Sequence, residues 1–232
     1  MLVLGLVCFV FPPWTGGTQA APSSTAKPPG KLLPIAYSQL IATSGEIRDQ
    51  NGDEFALLSP TVRAVVGSEP RQAIEMTFLY RGPTRRQAAL ASGELRRQLG
   101  LKLRARDTCN VVYVMWHIEP TRGLHVSVKS NPGQSEHQQC ADHGYRNLTP
   151  EFASQNVPDI HVGERHTLAA AIDGDRLRVD ADGVLAWVGR LPPEALRFDG
   201  PIGLRSDNGD FVVRLRGTAP AELTISPRPA KP

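Results

Sequence analysis

Short runs in which apolar and polar residues alternate constrain this chain more than any other feature. A period of two is typical of a β-strand with one buried face. The run at 99–106 has an apolar side formed by Leu99, Leu101, Leu103 and Ala105. The runs at 110–119 and 124–130 repeat the pattern. Further strand-sized runs lie at 55–66, 73–80, 166–172, 176–181, 184–188, 202–206 and 211–216.

Three dipeptides separate the later runs, namely Asp173-Gly174, Asp182-Gly183 and Asn208-Gly209. Glycine accepts the positive φ that a two-residue hairpin turn requires, so each pair predicts a hairpin. The 21 glycines and 20 prolines also favour many short strands over long helices. Helix potential is confined to residues 84–97, where Gly93 interrupts it.

These patterns predict an all-β fold, a two-sheet antiparallel sandwich of the jelly-roll type with about ten strands. We expect one such domain at residues 35–217. A hydrophobic content of 41% with 21% charged residues is ordinary for a soluble globular chain.

The first residues predict export. Residues 1–11 are apolar but far shorter than the roughly 20 residues that span a bilayer, and Ala20 is a suitable cleavage site. We therefore predict a signal peptide at 1–20 and a secreted or periplasmic protein without stable membrane insertion once the leader is removed. No Lys or Arg precedes the apolar run, so a buried N-terminal strand stays open as an alternative. Residues 21–34 predict a Pro/Ser-rich linker, and 218–232 a Pro-rich tail.

Removal of the leader leaves two cysteines, Cys109 and Cys140, in an oxidising compartment. We predict a disulfide between them, with two unconnected thiols as the alternative. Their spacing fits no zinc pattern, and we expect no metal site and no cofactor. Calcium bound by Asp207, Asn208 and Asp210 is conceivable, although an Asn-Gly hairpin explains the same residues.

Residues 166–187 and 198–208 resemble the concanavalin A-like lectin/glucanase superfamily, which includes laminin G-like jelly rolls. The likeness lies in a His-x-Leu strand that enters Asp-Gly hairpins, followed by Gly-Pro-x-Gly-Leu at 200–204. It implies a jelly roll whose concave face often binds or cleaves glycans. Retaining glucanases of that superfamily carry a Glu-x-Asp-x-x-Glu strand, and this sequence has no such triplet.

The polar sides of the three clearest strands predict a second, basic surface. If the strands share one sheet, this surface suits the carboxylate or sulfate groups of a sugar chain. A solvated sheet face explains the same residues equally well. The predicted surface consists of Lys102, Arg104, Tyr113, Met115, His117, His125, Ser127 and Lys129.

The leading hypothesis is an exported, non-catalytic domain that binds carbohydrate, in particular acidic polysaccharide. Its predicted ligand-binding residues are Lys102, Arg104, Tyr113, His117, His125 and Lys129. The first alternative is a polysaccharide lyase or glycoside hydrolase acting on a uronic-acid-containing polymer, in which Tyr113 and His117 would transfer protons. The second alternative is a structural envelope or adhesion scaffold.

Nucleic acid is not an expected partner. The formal net charge is only +3. Residues 81–106 hold eight basic residues and one acid, Glu94, but no known nucleic-acid-binding motif accompanies this charge.

Overall fold

A computed structural model describes residues 30–220 of the 232-residue chain. The predicted signal peptide lies outside the described residues, as do most of the predicted linker and tail. Among the described residues, no helix is long and apolar enough to cross a membrane.

Sixteen strands account for nearly all the regular structure described. A four-residue helix, α1 (His137–Cys140), and two 3₁₀ turns, Tyr37–Gln39 and Ala195–Arg197, complete it. The strands are β1 (Leu33–Pro34), β2 (Leu40–Ser44), β3 (Ile47–Asp49), β4 (Phe55–Leu57), β5 (Thr61–Val66), β6 (Ala73–Pro83), β7 (Arg97–Leu103), β8 (Val111–Glu119), β9 (Gly123–Lys129), β10 (Tyr145–Asn147), β11 (Phe152–Ala153), β12 (Arg165–Asp173), β13 (Arg176–Ala181), β14 (Val184–Arg190), β15 (Gly203–Asp207) and β16 (Gly209–Gly217).

The strands form two antiparallel sheets, which confirms the predicted two-sheet sandwich. A nine-stranded sheet has the order β11-β14-β13-β12-β6-β16-β4-β3, with β1 also paired to β16. A seven-stranded sheet has the order β10-β9-β8-β7-β15-β5-β2. The three clearest strands of the sequence, β7, β8 and β9, are therefore neighbours in one sheet. Strand β1 begins two residues before the predicted start of the domain at residue 35.

The apolar sides of β7, β8 and β9 face the core between the sheets, as the alternation predicts. Trp116 lies at its centre with 1% of its surface exposed. Its ring meets Phe78 of the opposite sheet edge to face at 5.9 Å, and its Nε1–H donates to the Pro158 carbonyl at 3.2 Å. The other core residues of these strands are Leu99, Leu101, Leu103, Val112, Val114, Ile118, Val126 and Val128.

Two of the three predicted hairpins are confirmed. Asp173-Gly174 joins β12 to β13, and Asp182-Gly183 joins β13 to β14 with φ values of 49° and 76°. The third prediction is wrong, because Asn208 connects β15 of the seven-stranded sheet to β16 of the nine-stranded sheet. Asn208 has the expected positive φ of 58°, but the chain crosses between the sheets there instead of folding back on itself.

The helix considered for residues 84–97 is also absent. An irregular loop precedes β7 there, and tertiary hydrogen bonds from the Asn208 side chain replace helical ones. Its Oδ1 accepts from Ala88 N at 2.8 Å, and its Nδ2 donates to the carbonyls of Ala88 and Arg96, both at 2.9 Å. Gly93, with φ of 84°, forms the turn of this loop.

The predicted disulfide is present. Cys109 lies just before β8 and Cys140 ends α1, and the two sulfurs are bonded with a Cα separation of 5.9 Å. The bridge ties the segment between β9 and β10 to the start of β8. This segment forms one wall of the cleft described next.

Candidate functional site

A cleft of about 800 Å³ lies on the outer face of the seven-stranded sheet, opposite the core. Its volume is within the range typical of ligand sites. The floor is formed by polar-side residues of the strands. Residues 89–94 form one wall, and His137, Ala141 and Asp142 line the other.

Strand register places the floor residues in rows. In the first row, Lys102 on β7 pairs with Tyr113 on β8, Tyr113 pairs with Ser127 on β9, and Ser127 pairs with Asn147 on β10. These four side chains cross four strands, or about 14 Å at the usual strand spacing. The second row contains Arg63, Arg205, Gly100, Met115 and His125. The third row contains Thr61, Asp207, Gln98 and His117.

Five of the six predicted ligand-binding residues line this cleft. They are Lys102, Tyr113, His117, His125 and Lys129. The structure does not show the solvated sheet face of the alternative explanation, because Lys102, Tyr113 and Lys129 are each at most 5% exposed. The walls and neighbouring side chains cover this face, so a charge on it has few water molecules to stabilise it.

Arg104 is the exception, and its assignment to the surface is wrong. Strand β7 ends at Leu103, and Arg104 has a φ of 49°, which breaks the alternation. Its guanidinium instead donates from Nε to the carbonyls of Phe198 at 2.8 Å and Ala195 at 3.1 Å. The same turn places Ala105 in an outer-face cluster with Val111, Tyr113 and Met115 rather than in the core.

Sequence reasoning missed four buried or aromatic contributors to the site, namely Arg63, Arg205, Gln98 and Tyr145. The signal for two of them was present. Arg63 alternates with Val62 and Ala64 on β5, and Arg205 alternates with Leu204 on β15. What the sequence does not contain is the pairing of β15 between β5 and β7, which brings these arginines beside Lys102.

Asp207 lies beneath the cleft as the centre of a buried ion network. It is fully buried and accepts hydrogen bonds from Arg63 at 2.7 Å, Arg205 at 2.9 Å and Gln98 at 2.6 Å. Burial opposes its charged form, but Arg205 and Arg63 outweigh it and hold the pKa of Asp207 below its usual value. Because this carboxylate is fully engaged by basic groups, it is not arranged to bind calcium with Asn208 and Asp210. Within residues 30–220, no group of three or more His, Cys, Asp or Glu residues is placed to hold a metal ion.

Two tyrosines and two cations lie together at the β8–β10 end of the cleft, where the Lys129 ammonium is 5.2 Å from the centre of the Tyr145 ring. The rings of Tyr113 and Tyr145 are 6.0 Å apart and nearly parallel. The guanidinium of Arg205 lies 5.0 Å from the centre of the Tyr113 ring, and its Nη1 donates to the Tyr145 hydroxyl at 3.2 Å. Burial raises the pKa of Tyr113 to about 12, so its hydroxyl stays protonated at neutral pH.

His117 and His125 form a second stack, with ring centres 3.9 Å apart and planes inclined by 17°. Burial, the neighbouring His125 and nearby cations lower the pKa of His117 to about 3. Burial and Arg96 also lower the pKa of His125. Both imidazoles are therefore neutral near pH 7 and contribute flat rings to the cleft, while its positive charge comes from Lys and Arg.

The two lysines of the floor have different surroundings. The Lys129 ammonium donates to the carbonyls of Ala141 at 2.7 Å and Thr108 at 3.3 Å. These carbonyls belong to the residues next to the two bridged cysteines. Lys102 has no hydrogen-bond acceptor and no carboxylate partner among residues 30–220. Burial, followed by the charges of Arg63 and Arg205, lowers its pKa to about 8.

We expect Asn208 to fix the loop at residues 88–96, which contains the cleft wall at 89–94. Asn208→Gly keeps the positive φ and removes only the side-chain hydrogen bonds to Ala88 and Arg96. It should cost about 1–3 kcal/mol of unfolding free energy. It should also speed amide hydrogen exchange in residues 88–96 relative to the core strands. Asn156→Ala, at an exposed asparagine, is the control, and unchanged exchange in Asn208→Gly would contradict this role.

Comparisons with solved structures found several similar proteins. The carbohydrate-binding module CBM66 from Bacillus subtilis superposes with a TM-score of 0.52 at 12% identity, over 76% of this chain and 92% of that one. SCLam, a non-specific endo-β-1,3(4)-glucanase of family GH16, has a TM-score of 0.43 at 12% identity, over 74% of this chain and 72% of that one. The Caenorhabditis elegans galectin LEC-6 has a TM-score of 0.37 at 9% identity, over 80% and 99%.

No protein-family profile matches the sequence, and no curated protein does so. At identities this low, structural similarity establishes the fold alone. The fold is the concanavalin A-like jelly roll, which confirms the fold that the sequence resemblance implied.

Proposed function

We propose that this protein is an extracytoplasmic carbohydrate-binding domain that holds an acidic glycan in the cleft without catalysing its cleavage. The observation that carries the proposal is the charge of the cleft. Five cations line it, Arg63, Arg96, Lys102, Lys129 and Arg205. The carboxylates are fewer. Glu94, which pairs with Arg96, and the exposed Asp142 lie in the lining, and Asp207, which Arg63 and Arg205 share, lies beneath it.

Besides its cations, the cleft contains neutral side chains suited to binding sugars. Ser127 and Asn147 lie in the same row as Tyr113, and their side chains form no hydrogen bond within residues 30–220. They are therefore free to bind sugar hydroxyls. Tyr145 and His125, the more exposed rings of the two stacks, offer flat surfaces of the kind on which a sugar ring packs.

Similarity of fold to the module CBM66 is consistent with carbohydrate binding, and the disulfide is consistent with an oxidising compartment outside the cytoplasm. The predicted leader at residues 1–20 is the further support for a secreted or periplasmic location.

The lyase alternative is less well supported by the same side chains. A general base works best with a pKa near the operating pH. The pKa of His117 is lowered to about 3 and that of Tyr113 is raised to about 12, so neither exchanges a proton readily near pH 7. Asp207 is fully buried and bound to basic groups, so it is not available to attack or protonate a glycosidic bond.

A glycan array that spans neutral, uronate-containing and sulfated glycans tests the proposal, read together with the ultraviolet absorbance of unsaturated uronate products. We expect binding to acidic glycans, with no absorbance change. Binding should weaken near 1 M salt, because the Debye screening length there is only about 3 Å. Lys102→Met should weaken binding, while Lys31→Met, at an exposed lysine outside the cleft, should not. Product formation would indicate a lyase, and an array without binding would overturn the proposal.

A further inference from the structure

The cationic side chains of the cleft differ in which groups of the protein already pair with them. Arg63 and Arg205 share Asp207. Arg96 pairs with Glu94. The Lys129 ammonium donates to two backbone carbonyls. Four of the five cationic side chains in the lining are therefore committed to contacts within the protein.

Lys102 is the remaining cation of the lining, and the charged side chains next to it are also positive. It lines the cleft but is only 5% exposed. Arg63 and Arg205, in the neighbouring row, add positive potential around it. A buried charge is normally paired, and an unpaired one is unfavourable. A ligand anion is the partner that this position lacks.

We propose that the cleft recognises a glycan carrying one monoanionic group within the length that it covers, and that this group pairs with Lys102. The inference rests on the proposed carbohydrate-binding function. A uronate carboxylate and a sulfate ester share the required charge. A polyanion, with a charge on every sugar, would place further anions where the cleft lining, as described within residues 30–220, has no free cation.

The first row of floor residues also sets the orientation of the bound glycan along the cleft. Lys102 stands at one end of the row, Tyr113 follows, and the neutral Ser127 and Asn147 stand at the edge-strand end. The charged sugar therefore lies over β7 and β8, and neutral sugars extend toward β10. Exposed Asn147 leaves that end of the cleft open to a longer chain.

Galacturonate tetramers that differ only in methyl esterification test how many anionic groups the cleft recognises. Calorimetric titration would compare the fully esterified neutral tetramer, the tetramer with one free carboxylate and the tetramer with four. A galactotetraose with one sulfate ester forms the second arm and distinguishes the source of the charge. We expect one anion to improve affinity at least tenfold over the neutral tetramer, and the remaining carboxylates to add less than twofold.

Two variants assign this gain to Lys102. Lys102→Met should bind the singly charged and neutral tetramers equally, while Lys31→Met should behave as wild type. Lys102→Arg keeps the charge above pH 8. It should therefore retain the gain at pH 9, where the wild type loses most of it because the Lys102 pKa is about 8.

The outcomes separate the two proposals. If no tetramer binds and the glycan array is also empty, the proposed function fails. If tetramers bind but affinity rises with each added carboxylate, or Lys102→Met keeps the tenfold gain, the single-anion inference fails while carbohydrate binding stands.

Discussion

Replacing Lys102 with methionine should stabilise the protein at pH 7 even as it weakens ligand binding. The pKa of Lys102 falls from 10.5 to about 8 on folding, mainly through burial. At 1.36 kcal/mol per pKa unit, keeping this ammonium charged in the fold costs about 3 kcal/mol. Methionine fills a similar volume without charge. For a domain of this size, the gain corresponds to a melting temperature roughly 6–12 °C higher.

The pH dependence of stability gives a sharper form of this prediction. Between about pH 8 and 10.5, the unfolded chain keeps the Lys102 proton while the folded chain releases it. The unfolded state then binds more protons, so wild-type stability at this site rises with pH across that window. The advantage of Lys102→Met should be full below pH 8 and should shrink toward pH 10.5.

Denaturant melts at pH 7 and pH 10 measure both effects. Lys31→Met, at an exposed lysine, should match the wild type at both values. A Lys102→Met protein that is less stable than wild type at pH 7 would show that the Lys102 ammonium already has a stabilising partner in the fold. The single-anion site would then lose its main support.

At Asp207 we expect the opposite and larger effect, a loss of stability on substitution. Asp207→Asn leaves the guanidinium groups of Arg63 and Arg205 buried without a countercharge, and it disturbs the hydrogen bond from Gln98. Breaking one side of a buried ion pair typically costs 3–5 kcal/mol, and we expect a loss of about that size. Because Arg205 also stacks on Tyr113, the loss should extend to the aromatic end of the cleft.

Urea unfolding at pH 7 tests this prediction, with Asp173→Asn, at an exposed carboxylate outside the cleft, as the matched control. The fold lowers the pKa of Asp207, so its stabilisation is present above the unfolded value of about 3.9 and is lost as pH falls through the folded value. Wild type and Asp207→Asn should therefore converge in strongly acidic solution. A midpoint at pH 7 equal to that of wild type would contradict the structural role of the network.

Local sequence pattern predicted the core of the seven-stranded sheet well, because alternation is a property of each strand alone. Trp116 and its neighbours on β8 face the core as expected, and Lys102 and Tyr113 face the other way. The prediction for Arg104 was wrong for a local reason, since the positive φ of Arg104 itself ends the strand at Leu103. No apolar pattern marks such a change in backbone direction.

The remainder of the site depends on pairings between distant segments. Arg205 neighbours Lys102 because β15 inserts between β5 and β7, which precede it by about 140 and about 100 residues along the chain. Asn208 shows the same limit. Its Asn-Gly pair fixes a positive φ, but whether the chain then folds back or crosses to the opposite sheet depends on which partners the next strand finds.

The first and last described strands pair with each other. Leu33 lies opposite Gly217 at the β1–β16 pair, in the nine-stranded sheet, while the cleft opens on the outer face of the other sheet. Both ends of the described chain therefore leave from one place on the opposite layer of the sandwich. A fusion partner or affinity tag joined at residue 30 or residue 220 would therefore be attached to the layer that lies opposite the cleft. Immobilisation through such a tag leaves the layer that carries the cleft free for surface-based measurements on large polymers.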